Sequence, residues 1–191
     1  MATTPFEIEL DDMTLARARR GDLDACESIY RLFQQPAFTV AFRICQCREL
    51  AQEVSQEAFI TVFRKLRQFR GDAPFWGWLR RIVVNHAIST IRKGPKDQPL
   101  EFQEYHGRSE SASDRVGMAM DLESALSALN AEDRAIVWLH DVEGYNHVEI
   151  AGMFGKTESF SKTRLSRARS RLKHLLSTET GARALSSAVA G

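Results

Sequence analysis

Residues 146–172 read NHVEIAGMFGKTESFSKTRLSRARSRL, and the reading of this stretch decides the fold. Asn146 stands three residues before Glu149, the spacing of a capping box in which two side chains satisfy two backbone donors at a helix start. The short run HVEIAGMF then ends at Gly155, a residue suited to the left-handed position that closes a helix. A cationic helix follows at once. An earlier helix of about residues 132–141 and the turn VEGYN precede this pair. Helix, short turn, helix is the plan of the helix-turn-helix, whose second helix enters the major groove of duplex DNA.

A wheel of about 100° per residue sharpens the reading of that second helix. Leu165, Ala168, Leu172, Leu175 and Leu176 share one face, which must pack on the preceding helices. Arg164, Arg167 and Arg171 flank this stripe on one shoulder, and Lys162, Arg169 and Lys173 on the other. The outermost strip holds Thr163, Ser166, Ser170 and His174. Cations on both shoulders with short polar groups between them suit a groove walled by two phosphate backbones. Neutralising about five phosphates gives a log–log salt slope of roughly −4 to −5. A solvated basic face and a membrane-surface helix share part of this pattern. The membrane helix needs large apolar anchors toward lipid, whereas these leucines are needed for the domain's own core.

The formal net charge of +1 hides a division along the chain. Residues 121–150 carry 1 basic and 7 acidic groups, while residues 151–176 carry 7 basic and 1 acidic. A near-neutral total therefore says nothing against a polyanion partner, because binding responds to the local field. The length of 191 residues fits one medium or two small domains. Strand signals are scarce and helical spacing recurs throughout, so the expected class is all-α. No run approaches the 18–20 or so apolar residues that span a bilayer, and the acidic opening MATTPFEIELDDM has no secretory pattern. Cys26, Cys45 and Cys47 are too few and too close for a disulfide framework. These points make a cytoplasmic location the expectation.

Helical stripes occupy residues 12–33, with a break near Gly21-Asp22, then Phe38–Ile44, then Leu50–Leu66. The turn RGDAP at 70–74 interrupts the pattern, and helix resumes from Phe75 to KGPKDQP. Residues 94–120 are polar, aperiodic and Gly/Pro/Ser-bearing, the composition of a flexible linker. The expected organisation is therefore a helical domain over 1–93, a linker over 94–120, a helix-turn-helix domain over 121–176 and a disordered tail over 177–191.

In the first domain the run RKLRQFRG at 64–71 is basic, and Arg80-Arg81 add charge one helix later. Phe69, Phe75, Trp76 and Trp78 lie between those clusters. Cations that track a backbone beside rings that stack on bases describe a single-strand surface. Phe75 and Trp78 share a face with Ile82 and read as core, which leaves Trp76 as the exposed ring. Asn85 gains nothing from helix propensity and suits either a polar task or a plain surface position. Catalysis finds little support. Cys45-Gln46-Cys47 lacks nearby histidines to complete a metal site, and no Gly-rich phosphate loop or Ser/His/Asp pattern occurs. No catalytic residue, metal, cofactor, membrane or small-molecule substrate is expected.

At the level of whole segments the chain resembles a bacterial extracytoplasmic-function (group IV) sigma factor. The matching pieces are GDLDACESIYR, AQEVSQEAFITVFRKLRQFRG and FWGWLRRIVVNHAI in the first domain, and LNAEDRAIVWLHDVEGYNHVEIAGMFG and KTRLSRARSRLKHLL in the second. Each is moderately specific alone; their order and spacing around a polar linker are highly specific. The resemblance implies two small helical domains, sigma regions 2 and 4, that work with core RNA polymerase and do no covalent chemistry. It implies docking of Glu53, Gln56, Glu57, Phe59, Ile60 and Arg64 on the clamp helices of the largest subunit, and a contact with the flap of the second largest. Arg70, Asp72, Trp76, Arg80, Arg81 and Asn85 would hold the unpaired non-template strand of the −10 element. Phe160, Lys162, Thr163, Arg164, Ser166, Arg167, Arg169 and Arg171 would lie on the −35 duplex. An anti-sigma factor is a further partner of this class, and a sigma mimic that sequesters such a factor is the competing function. The chain departs from the family at Glu53, where Asp is usual, at Cys26, where an aromatic is common, and at Ser159-Phe160-Ser161, where Gly-Thr-Val is common.

Overall fold

The computed structural model describes residues 8–94, 122 and 124–189, with side chains through residue 177. Two compact units divide the chain, Met1–Gly94 and Pro95–Gly191. Every regular element among the described residues is helical. Residues 95–120 of the expected linker lie outside the described residues.

In the first unit α1 spans Asp12–Arg19, and the Asp11 side chain accepts from the Thr14 amide at 2.8 Å to cap it. Gly21 then takes φ +90°, and Asp22 caps α2, Leu23–Cys45, by accepting from the Ala25 amide at 3.1 Å. The two apolar stripes read separately on either side of residue 36 form this single helix of 23 residues. Pro36 removes one backbone donor inside it. Burial of Ile29 and Phe33 before the proline, and of Ala37, Val40, Ala41 and Ile44 after it, offsets that loss.

Cys45 is the last residue of α2, Gln46 turns left-handed at φ 54°, and Cys47 is the N-cap of α3, Arg48–Lys65. The three residues thus bridge two helices. A 3-10 turn at Leu66–Gln68 and Gly71 at φ +86° lead to α4, Phe75–Lys93. Helices α2, α3 and α4 pack pairwise, and α1 lies against α2 and the 3-10 turn. Ile29, Phe33, Ile44, Val54, Val62, Leu66, Leu79 and Ile88 are fully enclosed between them. Each such side chain contributes about 1.5–3 kcal/mol of transfer free energy.

In the second unit Asn130 caps α5, Ala131–Val137, by accepting from the Asp133 amide at 2.9 Å. A π-helical turn, Trp138–Val142, continues it, and Gly144 at φ +75° opens the loop to α6, His147–Phe154. The capping box is present: Asn146 accepts from the Glu149 amide at 2.9 Å, and Glu149 accepts from the Asn146 amide at 3.0 Å. Gly155 closes α6 at φ 63°. Helix α7 runs Glu158–Val189, and so extends into the segment, residues 177–191, that composition marks as a disordered tail. Both α5 and α6 pack on α7, enclosing Ile136, Leu139, Ile150, Phe154, Leu165 and Ala168.

Candidate nucleic-acid and polymerase interfaces

The wheel reading of α7 holds in the fold. Leu165, Ala168 and Leu172 are buried, Leu175 and Leu176 are half-buried, and Thr163, Ser166, Ser170 and His174 face outward. What the wheel does not show is how the cations are held. Arg164 reaches back to α5 and forks between Glu132 at 2.7 Å and Asp133 at 2.8 Å. Its guanidinium also lies 5.3 Å from the centroid of the Phe160 ring. Arg169 holds Asp141 of the π turn through two donors, its Nε at 3.2 Å. Lys162 pairs with Glu158 one turn earlier at 2.7 Å. Arg167, Arg171 and Lys173 are exposed and have no acidic partner among the described residues.

These pairs move titration in the expected directions. Burial raises the Asp141 carboxyl, but hydrogen bonds from Arg169 and His140 outweigh it and leave the group below its ordinary value. The hydrogen bond from Lys162 lowers Glu158, and Asp141 raises Arg169. Asp141, Glu158 and Arg169 are thus each held further in their charged forms.

Phe160 and Ser161 settle how the departure at Ser159-Phe160-Ser161 is accommodated. Phe160 is half-buried and packs on Phe154 at 6.0 Å between centroids, beneath Arg164. In the free protein the ring thus packs inward. Ser161 is fully buried and bonds His147 Nδ1 at 3.0 Å. His147 stacks on His140 at 4.6 Å, and His140 Nδ1 lies 2.8 Å from Asp141. A polar chain therefore joins α7, α6 and the π turn behind the outward face. Burial, then the neighbouring His140 and Lys162, depress the His147 imidazole below its ordinary value.

In the first unit the aromatic assignments exchange places. Trp76 is 3 % exposed and lies parallel to Phe33 at 6.0 Å, so it is core. Trp78 is half-buried, against Phe69 at 5.2 Å and Phe75 at 5.7 Å. The missed signal was the stripe Trp76, Leu79, Val83 and Ala87, whose spacing of 3, 4 and 4 is that of one helix face. Arg70 and Asp72 are exposed on the turn, Arg81 and Asn85 are exposed four residues apart on α4, and Arg80 is half-buried. On α3, Glu53, Gln56, Glu57, Ile60 and Arg64 share an exposed face, with Ile60 at 44 %. Phe59 does not join them. It is 4 % exposed and meets Tyr30 edge-on at 4.9 Å, so it supports that face from beneath. Cys26, half-buried beside the Ala18 carbonyl, has its thiol pushed up by burial.

Among the described residues no group of three or more His, Cys, Asp or Glu side chains is arranged to hold a metal. No described helix is long and apolar enough to cross a membrane. The arrangement offers charge, short polar donors and half-exposed rings, which bind and position.

Residues 29–95 match the family Sigma-70 region 2, and residues 119–172 match Sigma-70, region 4. The ECF RNA polymerase sigma factor SigM of Mycobacterium tuberculosis is 30% identical over 166 residues, spanning 87% of this chain and 84% of the relative. The RNA polymerase sigma-H factor of Pseudomonas aeruginosa is 29% identical over 175 residues, spanning 84% and 91%. Among solved structures, the sigma factor RpoE of Bartonella quintana, in complex with the anti-sigma factor NepR, superposes with TM-score 0.55 at 22% identity, covering 79% of this chain and 96% of that one. CnrH in complex with the cytosolic domain of CnrY gives TM-score 0.51 at 23% identity, covering 87% and 96%. The chain belongs to the extracytoplasmic-function sigma factors of the sigma-70 family. It is a non-catalytic subunit of transcription initiation that directs promoter recognition by RNA polymerase.

Proposed function

We propose a division of promoter recognition between the two domains at the level of residues. The outward strip of α7, with Thr163 and Ser166 between Lys162 and Arg167, reads the −35 duplex. Phosphate contacts from Arg167, Arg171 and Lys173 set the register, and the short polar groups carry the sequence preference. Arg164, Arg169 and Phe160 act one layer behind, holding α7 against α5, α6 and the π turn. The exposed groups of the 70–74 turn, with Arg81, Asn85 and the half-open ring of Trp78, receive the non-template strand of the −10 element. A base read there must first leave the stack. The exposed α3 face around Glu53, Gln56, Glu57, Ile60 and Arg64 docks on the clamp helices, and the second domain meets the flap.

The observation that carries this reading is the position of the three untethered cations beside an outward polar strip on α7. A sigma mimic that only occupies an anti-sigma factor has no use for that surface. An anti-sigma factor remains within the proposal as a partner, as does a cytoplasmic site of action; the solved relatives RpoE and CnrH are both recorded in complexes, RpoE with an anti-sigma factor. Run-off transcription with core polymerase on a promoter library tests the function. The expected result is selection of templates that carry two separated elements; transcription no better than with core alone, together with tight anti-sigma binding, favours the mimic.

A further inference from the structure

Arg19 is the last residue of α1, an element that carries none of the polymerase or DNA contacts assigned above. Its Nη2 donates to the Phe69 carbonyl, and its guanidinium lies 5.8 Å from the centroid of the Phe69 ring. In return, Arg67 Nε donates to the Arg19 carbonyl at 3.2 Å. Two arginines thus clasp two backbone carbonyls between α1 and the strand of chain that enters the 70–74 turn.

Phe69 is 7 % exposed and immediately precedes Arg70. Its ring meets Phe75, the first residue of α4, in a T-shaped contact at 5.3 Å, and Trp78 at 5.2 Å. The turn is therefore suspended between two rings in contact, and the first of these is held by Arg19. Gly71, at φ +86° with nothing within 4 Å of where a Cβ would stand, supplies the bend but no anchor. Where the turn points is set at its ends.

The geometry points to Arg19 as the positioning residue of the −10-reading turn. This rests on the assignment of residues 70–85 to the non-template strand. The Nε of Arg19 is buried without a hydrogen-bond partner. A buried, unsatisfied donor carries a desolvation cost, so the clasp does less for global stability than its contacts suggest. Its effect falls on geometry: donors that read a base must be held to within about 0.5 Å of their productive position.

Holoenzyme carrying Arg19→Met or Arg19→Lys tests this with a single-stranded non-template −10 oligonucleotide, matched or mismatched at one base, and with a −35 duplex as control. Arg19→Met is expected to weaken the matched oligonucleotide about tenfold, the scale of one lost charge-assisted hydrogen bond, and to reduce discrimination against the mismatch. Core and duplex affinities stay unchanged, and Arg19→Lys, which keeps the charge and an ammonium donor but not the planar fork, recovers part of both losses. The turn variant Arg70→Ala with Asp72→Ala separates the two layers of inference. If it weakens the oligonucleotide while Arg19→Met changes neither affinity nor discrimination, the positioning role is overturned and the turn assignment stands. If neither variant weakens it, both are overturned. Hydrogen exchange on the free protein gives a second readout. Faster exchange confined to residues 69–74 in Arg19→Met supports the role, and faster exchange across α2 and α3 as well marks Arg19 as merely structural and overturns it.

Discussion

On α7, Lys162, Arg164 and Arg169 are each held by carboxylates of their own domain, whereas Arg70 and Arg81 of the first domain have no acidic partner among the described residues. In the second domain charge builds the fold and the reading face together. In the first, the fold is an aromatic and aliphatic core, with Phe33 against Phe75 and Trp76, and Arg70 and Arg81 are laid on its outside. The difference matters for how each responds to salt. An arginine that leaves a carboxylate for a phosphate exposes an anion that gathers solution cations, which cancels part of the counterion release that drives binding. Cations counted along the sequence of α7 therefore overstate its dependence on salt. Arg167, Arg171 and Lys173 set it, and the slope expected for the −35 duplex falls to about −3.

The largest expected effect breaks the first domain alone. Phe33→Ala removes the ring that Phe75 and Trp76 pack on and costs about 3–5 kcal/mol. Thermal unfolding should show the transition of the first domain moving down while that of the second holds. Movement of both together would contradict separate cores.

A smaller effect sharpens the comparison through pH. His147, at the charged junction of α6 and α7, and His86, half-buried beside Thr61 at 3.0 Å, are both held below the ordinary imidazole value. In each case burial is the main cause, and nearby positive charge adds to it: His140 and Lys162 for His147, Lys65 and Lys93 for His86. A depressed folded value means the unfolded chain binds the proton first. The stability each contributes is thus complete above the reference value of 6.5 and is lost as pH falls through the lower folded value. Both unfolding transitions should move down on acidification below neutrality, and His147→Gln should flatten the response of the second domain only. An unchanged response in that variant would place the titration elsewhere.

Much of this was legible in the chain. The capping box at Asn146, the left-handed Gly155 and the α7 wheel follow from local rules that depend on residues a few positions apart. The all-helical class and the break at 70–74 follow from the same kind of signal. What was not legible depends on contacts between distant segments. Glu132 and Asp133 lie more than thirty positions from Arg164, and nothing in their own stretch marks them as its tether. Arg19 and Phe69 meet across fifty positions. Trp76 and Trp78 were a different matter: both patterns were present, and the stripe through Leu79 and Val83 outweighs the one through Ile82 because it faces two helices at once. Phe59 went the same way, grouped by family position with exposed residues while it is buried against Tyr30.

The central claim is that α7 meets duplex DNA through its untethered cations while Arg164 and Arg169, tethered to α5 and the π turn, hold the domain together. The most direct test is the salt dependence of −35 duplex binding by wild type, Arg167→Ala and Arg164→Ala, read beside the stability of each. Arg167→Ala should reduce the magnitude of the slope by about 1 and leave the melting of the second domain in place. Arg164→Ala, which strands Glu132 and Asp133, should cost about 1 kcal/mol of stability and leave the slope nearly unchanged. The reverse pattern, with the slope lost in Arg164→Ala and kept in Arg167→Ala, would contradict the account.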